Sequence, residues 1–255
     1  MPIKMALVGC GHMGKIHLQK LSSFDEIQIV GIVDVDTKRA NDLAQPINVP
    51  AFNNYKKLLG NVDGVIIATP TETHYQIAKD FLKSGSHILL EKPITSRQDQ
   101  AQELIDLAQA RQLILQVGFL ERFNPAFSKI LPIIKKPLLI ESRRLSEFTG
   151  RSTDIDVVLD LMIHDIDLIL SIVREDVCDI RAQGVSFITD KLDMASARIE
   201  FSNGCIADLN ASRISSKKER TLTVFEGNQI FFIDLLNRRV VYSAKEQNKI
   251  GRAHV

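Results

Sequence analysis

Cysteine is scarce in this sequence: Cys10, Cys178 and Cys205 are an odd number, far apart, with no CxxC pair. That excludes a disulfide framework or thiolate zinc site and fits a reducing cytoplasm. A surplus of either charge is also missing, 32 basic side chains against 31 acidic leaving a formal charge of +1. Such a balance gives no electrostatic reason for nucleic acid or anionic membrane as a partner. No apolar run approaches the ~18 residues needed to span a bilayer. The opening Met1-Pro2-Ile3-Lys4 passes straight into a strand-like run without a signal-peptide or transit pattern. The expectation is a soluble, cytoplasmic protein. What is present is ordinary globular composition, 45% hydrophobic and 25% charged over 255 residues, a length for one large domain or two smaller ones.

The first half alternates. Aliphatic or β-branched runs at 5–8, 27–33, 62–68, 87–90 and 113–117 read as parallel strands buried on both faces. Helical periodicity fills the stretches between them, at 15–22, from Asp36 to near Pro46, at 73–84 and at 96–111. This predicts an α/β fold, a doubly wound parallel sheet of βαβ units. After about Arg122 the texture changes. A Pro-containing helical stretch at 124–134, a strand at 138–143, a polar loop at 146–153 and a long amphipathic helix at 156–173 precede a run of strands. Those strands lie at 180–185, 195–201, 205–211, 220–226, 229–234 and 240–242, with Asn203-Gly204 and Gly227-Asn228 as hairpin signals. The second half is expected to be an α+β domain, a mostly antiparallel sheet with helices on one face.

Gly9-Cys10-Gly11-His12-Met13-Gly14 fits G-x-G-x-x-G and stands between the first strand and the first helix, the context that gives the pattern meaning. The glycines serve a tight turn, a close backbone approach to pyrophosphate and close helix–strand packing, with the phosphates at a helix N-terminus. Asp34 ends the second strand, 20 residues beyond Gly14, where an acid hydrogen-bonds the adenosine ribose. No basic or hydroxyl side chain stands immediately beside it to welcome a 2′-phosphate. NAD is therefore expected over NADP, although Lys38 and Arg39 are near. Ala68-Thr69-Pro70 and Glu91-Lys92-Pro93 end two further strands on the edge where open α/β sheets bind ligands. For His74, at the next helix start, a local hydrogen bond and a ligand contact weigh equally. The expected cofactor contacts are Gly9, Gly11, His12, Met13, Gly14, Asp34, Arg39, Thr69, Pro70, His74 and Glu91. In the long helix Asp160 and His164 are four residues apart and share a face, which suggests a pocket wall. Asp165 is expected to be exposed. The pair lacks a second histidine, so no metal is expected.

These pieces in this order resemble the glucose-fructose oxidoreductase / inositol dehydrogenase / rhizopine catabolism family, written Gfo/Idh/MocA. The features that match are Gly9 to Gly14, Asp34, Ala68-Thr69-Pro70, Glu91-Lys92-Pro93 and Asp160-x-x-x-His164, spread over nearly the whole chain. In that family the lysine and the Asp/His helix face the nicotinamide across the domain cleft, which implies Lys92, Asp160 and His164 as the catalytic group. A narrower likeness covers Gln116 to Pro125, Glu141 to Ser146 and Thr153 to Asp165, which look like the bacterial UDP-N-acetylglucosamine 3-dehydrogenase subgroup. That subgroup oxidises the sugar C3 hydroxyl to a ketone, which a PLP-dependent transaminase converts to an amine for an amide-linked lipid A.

The resemblance implies a Rossmann domain at 1–122 and an incomplete substrate-binding and oligomerisation domain at 123–249. Family members usually continue past the strand at 240–242. Here the last six residues, Ile250-Gly251-Arg252-Ala253-His254-Val255, match a translation of ATC GGA AGA GCA CAC GTn, a common sequencing-adapter read. The expectation is a coding sequence cut short with an artefactual tail at 250–255, giving His254 no role. The function expected is oxidation of a secondary alcohol of a nucleotide sugar, by a homo-oligomer when the chain is full length. Either His164 or Lys92 takes the hydroxyl proton; an imidazole suits the task because its ordinary pKa is near ~6.5. Arg122, Asn124, Arg143 and Asp160 are the expected substrate contacts. Arg143 and Arg144, or Arg213 with Lys217, Lys218 and Arg220, are candidates for a diphosphate. The rivals are a dehydrogenase of a free polyol, inositol or aldose, and a nicotinamide sensor without turnover.

Overall fold

The structure, a computed structural model, describes residues 1–150, 153, 155–246 and 249–254, with side chains described as far as 244. Asp154 of the second-half motif, Arg151 and Ser152 of the polar loop, and Val255 of the tail lie outside the described residues. The chain divides into two compact units, Met1–Gly118 and Phe119–Val255.

The first unit runs β1 (Ile3–Val8), α1 (His12–Leu21), β2 (Ile27–Val33), α2 (Thr37–Ala44), β3 (Ala51–Phe52), β4 (Gly64–Ile67), α3 (Thr71–Lys83), β5 (His87–Leu90), α4 (Gln98–Ala110) and β6 (Leu115–Val117). Its six strands are all parallel, in the order β3-β2-β1-β4-β5-β6. The apolar runs of β1 and β4 lack alternation because both faces are covered. Leu7 and Ile66 face a core with Leu18, Leu21, Ala40 and Ala44 of α1 and α2. Ala6, Val8, Val65 and Ile67 turn the other way, onto Ile77, Phe81, Leu82 and Leu104 of α3 and α4. In α3 the buried positions 74, 77, 78, 81 and 82 form a single stripe. The two-residue β3 was not foreseen; so short a strand leaves no periodic signal.

The second unit continues with α5 (Pro125–Ile130), β7 (Leu139–Leu145), a π-helix (Val158–Met162) and α6 (Ile163–Val173). Seven strands then follow: β8 (Val177–Val185), β9 (Met194–Phe201), β10 (Ile206–Ser212), β11 (Glu219–Glu226), β12 (Gln229–Asp234), β13 (Arg239–Glu246) and β14 (Lys249–His254). They join β7 in an eight-stranded sheet, ordered β14-β13-β12-β11-β7-β10-β9-β8, in which only β7 and β10 pair in parallel. Both hairpin signals are at turns, with Gly204 and Gly227 at positive φ. The helices cover one face of the sheet. Phe127 and Ile130 of α5 and Leu168, Ile169 and Ile172 of α6 share a core with Ile140, Leu209, Leu222 and Phe231. The helix expected at 156–173 is therefore a π-turn followed by an α-helix. Among the described residues no helix is long and apolar enough to cross a membrane.

One buried acid organises the loop between β8 and β9. Asp193 is fully enclosed, and its carboxylate accepts hydrogen bonds from the N–H groups of Phe187, Ile188 and Thr189 and from the Thr189 hydroxyl. Burial by itself would raise its pKa, but these donors outweigh burial and hold the carboxyl well below the usual range. The folded value lies below the unfolded one. Its stabilisation is thus full above the unfolded pKa and is lost as pH falls through the folded one. The gap in Tm between the wild type and Asp193→Ala should be full at about pH 6 and close toward about pH 2. A gap that stayed constant or widened in acid would show that these hydrogen bonds do not favour the charged form.

Candidate functional site

In a parallel sheet every strand delivers its C-terminal loop to the same edge. β1 and β4 are neighbours where the strand order reverses, the place where such sheets open a crevice. Gly9 follows β1 with φ of 98°, and a Cβ there would lie 2.3 Å from the carbonyl oxygen of Ala68 after β4. A Cβ on Gly14 would lie 2.0 Å from the Gly9 carbonyl oxygen. Neither position admits a side chain. Gly11 is different: a Cβ there meets nothing within 4 Å, so this glycine borders open space. It is the N-cap of α1, where no side chain caps the helix and no acid occupies the first turn. The N–H groups and positive dipole end are left for an anion.

That space is a cavity of about 910 Å³ lined by Gly9, Gly11, His12, Met13, Asp34, Arg39, Thr69 and Pro70, and also by Tyr55, Glu72, Thr73 and Gln76. Asp34 is buried, with Oδ2 accepting from the Cys10 N–H at 2.8 Å and Oδ1 from the Asp36 N–H at 2.9 Å. Each oxygen keeps a lone pair for a ribose hydroxyl. Arg39 reaches 3.8 Å from Asp34 and 3.6 Å from Asp36, so its charge is shared by two carboxylates. A pyrophosphate cradle, an unfilled glycine and a fixed acid fit a dinucleotide. Thr69 donates nothing to this acid; its hydroxyl accepts from Thr73 at 2.7 Å, which holds the loop after β4 to the first turn of α3.

Two expected cofactor contacts are corrected. His74 is 1% exposed, with Nδ1 at 2.8 Å from the Pro93 carbonyl oxygen and Nε2 at 2.9 Å from that of Thr69. The local hydrogen bond is the reading that holds, and it ties the loop after β4 to that after β5. Glu91 is also buried, its Oε1 lying 2.7 Å from His17 Nε2. Neither lines the cavity. Sequence reading missed Tyr55, whose hydroxyl donates to Asp80 at 2.8 Å; nothing in the spacing marks it. Lys92 follows β5 at the same edge, half-buried, with a cis peptide bond to Pro93.

In the second unit Asp160 lies on the π-helix and His164 on α6, both half-buried. A π-turn widens the coil by one residue and is frequent at functional sites; here it re-aims Asp160 relative to a plain α-helix. Two arginines hold α6 in place. Arg144 on β7, 2% exposed, donates to Asp165 through Nε at 3.0 Å and Nη2 at 2.6 Å, and to Glu121 through Nη1 at 3.1 Å. Arg122 grips Asp167 with Nε at 2.7 Å and Nη2 at 2.5 Å. Asp165 is therefore buried at 2% rather than exposed, because a cation waits on the adjacent strand.

These bonds also give several expected substrate contacts partners within the protein. Arg122 is engaged with Asp167, and Asn124 caps α5 and donates to the Leu235 carbonyl oxygen. Arg143 alternates with Arg144 and so points from the opposite face of the sheet, 3.2 Å from Glu219. It is on the wrong side to join Asp160 and His164. Arg213 is buried against Asp193 and the carbonyl oxygens of Ile155 and Leu192, and Arg220 pairs with Glu121. Neither they nor Arg144 form the free basic group expected for a diphosphate; Lys217 is paired with Glu219.

Comparison with known proteins agrees with the cradle. Residues 3–119 match the oxidoreductase family with an NAD-binding Rossmann fold, and residues 140–229 match the C-terminal domain of the same family. The chain belongs to the Gfo/Idh/MocA oxidoreductases. The UDP-N-acetylglucosamine 3-dehydrogenase of Acidithiobacillus ferrooxidans is 38% identical over 92% of this chain and 75% of its own length. A solved structure of that enzyme superposes with a TM-score of 0.93 at 35% identity, covering 100% of this chain and 83% of the other. The myo-inositol 2-dehydrogenase of Thermotoga maritima is 23% identical over 99% of this chain and 81% of its own. Levoglucosan dehydrogenase in complex with NADH, at 18% identity and a TM-score of 0.90 over 100% of this chain and 80% of that one, shares the fold. Membership makes this chain an NAD-binding oxidoreductase of the class that acts on CH–OH donors.

Two outcomes follow from this geometry. NAD should bind at least about tenfold more tightly than NADP, since a 2′-phosphate would meet the Asp34 carboxylate. Asp34→Ser should narrow the ratio by releasing Arg39, and equal affinities in calorimetry of the wild type would sink the assignment. Arg144→Met leaves the buried Asp165 carboxylate without its cation, while Glu121 keeps Arg220, and should cost about 3–5 kcal/mol in urea unfolding. A loss under about 1 kcal/mol would mean that this pair does not hold α6.

Proposed function

We propose that this chain is a cytoplasmic dehydrogenase of a nucleotide sugar, oxidising the C3 hydroxyl of UDP-N-acetylglucosamine to a ketone. The observation that carries the reading is the likeness to the Acidithiobacillus enzyme, which joins 38% identity over 92% of the chain to a TM-score of 0.93. The inositol 2-dehydrogenase from Thermotoga stands at 23%.

Bound NAD supplies the hydride acceptor. Gly9, Gly11, His12 and Met13 would receive its pyrophosphate, with Gly14 packing α1 against the loop rather than lining the cavity; Asp34 would hold its ribose, and Thr69 and Pro70 would shape the nicotinamide side. His164 takes the proton from the sugar hydroxyl, and Lys92 hydrogen-bonds the same oxygen and stabilises the negative charge that builds on it. Asp160 orients the imidazole or a neighbouring sugar hydroxyl. The product, a 3-keto sugar, suits a transaminase that installs an amine, the route to an amide-linked lipid A. The sheet face left uncovered by helices supports assembly into a homo-oligomer.

Incubation with NAD and UDP-N-acetylglucosamine should raise absorbance at 340 nm and yield a sugar lighter by two hydrogens in mass spectrometry. Turnover of myo-inositol but not the nucleotide sugar would favour the polyol reading, and cofactor binding without turnover on any sugar would favour a sensor. His164→Ala and Lys92→Ala should each lower kcat by at least about a hundredfold with NAD affinity within a few-fold. Near-normal turnover in either variant would remove that residue from the mechanism.

A further inference from the structure

We propose that His17 is a positioning residue for Lys92, acting through the carboxylate of Glu91. The inference rests on the reading that Lys92 acts on the substrate. His17 lies on α1 three residues beyond Gly14, on the helix whose N-terminus receives the pyrophosphate. Its Nε2 is 2.7 Å from Glu91 Oε1, and each of the two side chains is only 10% exposed. A carboxylate oxygen can only accept, so Nε2 carries the hydrogen.

The other carboxylate oxygen completes the connection. Glu91 Oε2 accepts from the backbone N–H of Lys92 at 3.3 Å. On the far side Gly118, just past β6, approaches so closely that a Cβ would lie 3.3 Å from Oε2. The acid is thus held at one oxygen by the cofactor helix, at the other by the lysine's own backbone, and walled by a glycine. A buried acid and imidazole stabilise a fold less than apolar side chains of similar volume, and what they add is direction. Here the direction is fixed for the residue that carries the lysine side chain. Glu91 is turned inward because its task is the strand end, and His17 is enclosed because it must meet that acid from α1.

The test compares His17→Leu, His17→Gln and Glu91→Gln. His17→Leu removes the donor, whereas in His17→Gln the new side-chain amide can reach the position of Nε2. His17→Leu and Glu91→Gln should lower kcat about 30-fold, with KM for the sugar and Kd for NAD within about threefold, because only the reacting geometry is disturbed. A deuterium isotope effect with C3-labelled sugar should grow, and His17→Gln should recover most of the rate. Amide hydrogen exchange gives a readout independent of turnover: the Lys92 N–H should exchange at least about tenfold faster in His17→Leu and stay protected in His17→Gln. Unchanged protection of Lys92, or weakened NAD binding with kcat intact, would overturn the proposal and leave His17 a support for the glycine loop. Faster exchange with an unchanged rate would refute positioning too. If Lys92→Ala is itself fully active, the reading of Lys92 fails instead, and the exchange data still decide whether the connection exists.

Discussion

Everything at the cofactor edge depends on how closely two backbones approach where β1 and β4 lie side by side. With 2.3 Å between an added Gly9 Cβ and the Ala68 carbonyl oxygen, the loops after these strands meet without side chains between them. That contact brings α1 down onto the sheet and aims its unsatisfied N–H groups into the cavity. It also sets Asp34 within reach of the Cys10 N–H, so the acid at the end of β2 is fixed by the same glycine loop that opens α1. A methyl group at Gly9 or Gly14 would push this arrangement apart from inside.

The second unit solves a different problem with different means. Its sheet is covered on one face only, and the helix carrying Asp160 and His164 must sit at a defined angle on that face. Apolar packing by Leu168, Ile169 and Ile172 supplies attraction but little direction. Direction comes from Asp165 and Asp167, each clamped by an arginine rooted in another element.

The sequence made the first unit's architecture legible because its signals are local. Continuous apolar runs, glycines at fixed spacing and acids at strand ends each declare themselves within a few residues. Ala68-Thr69-Pro70 and Lys92 were placed at the right edge for the same reason. What escaped notice depends on partners distant in the chain. His17 reads as a polar residue on an amphipathic helix until Glu91, 74 positions later, is seen beside it. Asp165 reads as exposed until Arg144 is known to rise from the strand beneath. Arg143 and Arg144 look like one basic patch in sequence, yet a strand sends them to opposite faces. The π-turn at Val158–Met162 is invisible because one extra residue in a coil leaves the apolar pattern nearly unchanged.

The thiol in the middle of the glycine loop has a consequence for redox chemistry. Burial, and next the charge of Asp34, push the Cys10 thiol up to about 12. At neutral pH roughly one molecule in 10⁵ then carries the thiolate, the form that oxidants and alkylating reagents attack. The thiol of the glycine loop is therefore a poor nucleophile. Cys178 on β8 is the exposed thiol, so oxidative damage or covalent labelling falls first on the margin of the antiparallel sheet, far along the chain from the dinucleotide. Among the three cysteines, an oxidising burst would mark Cys178 before it reached Cys10.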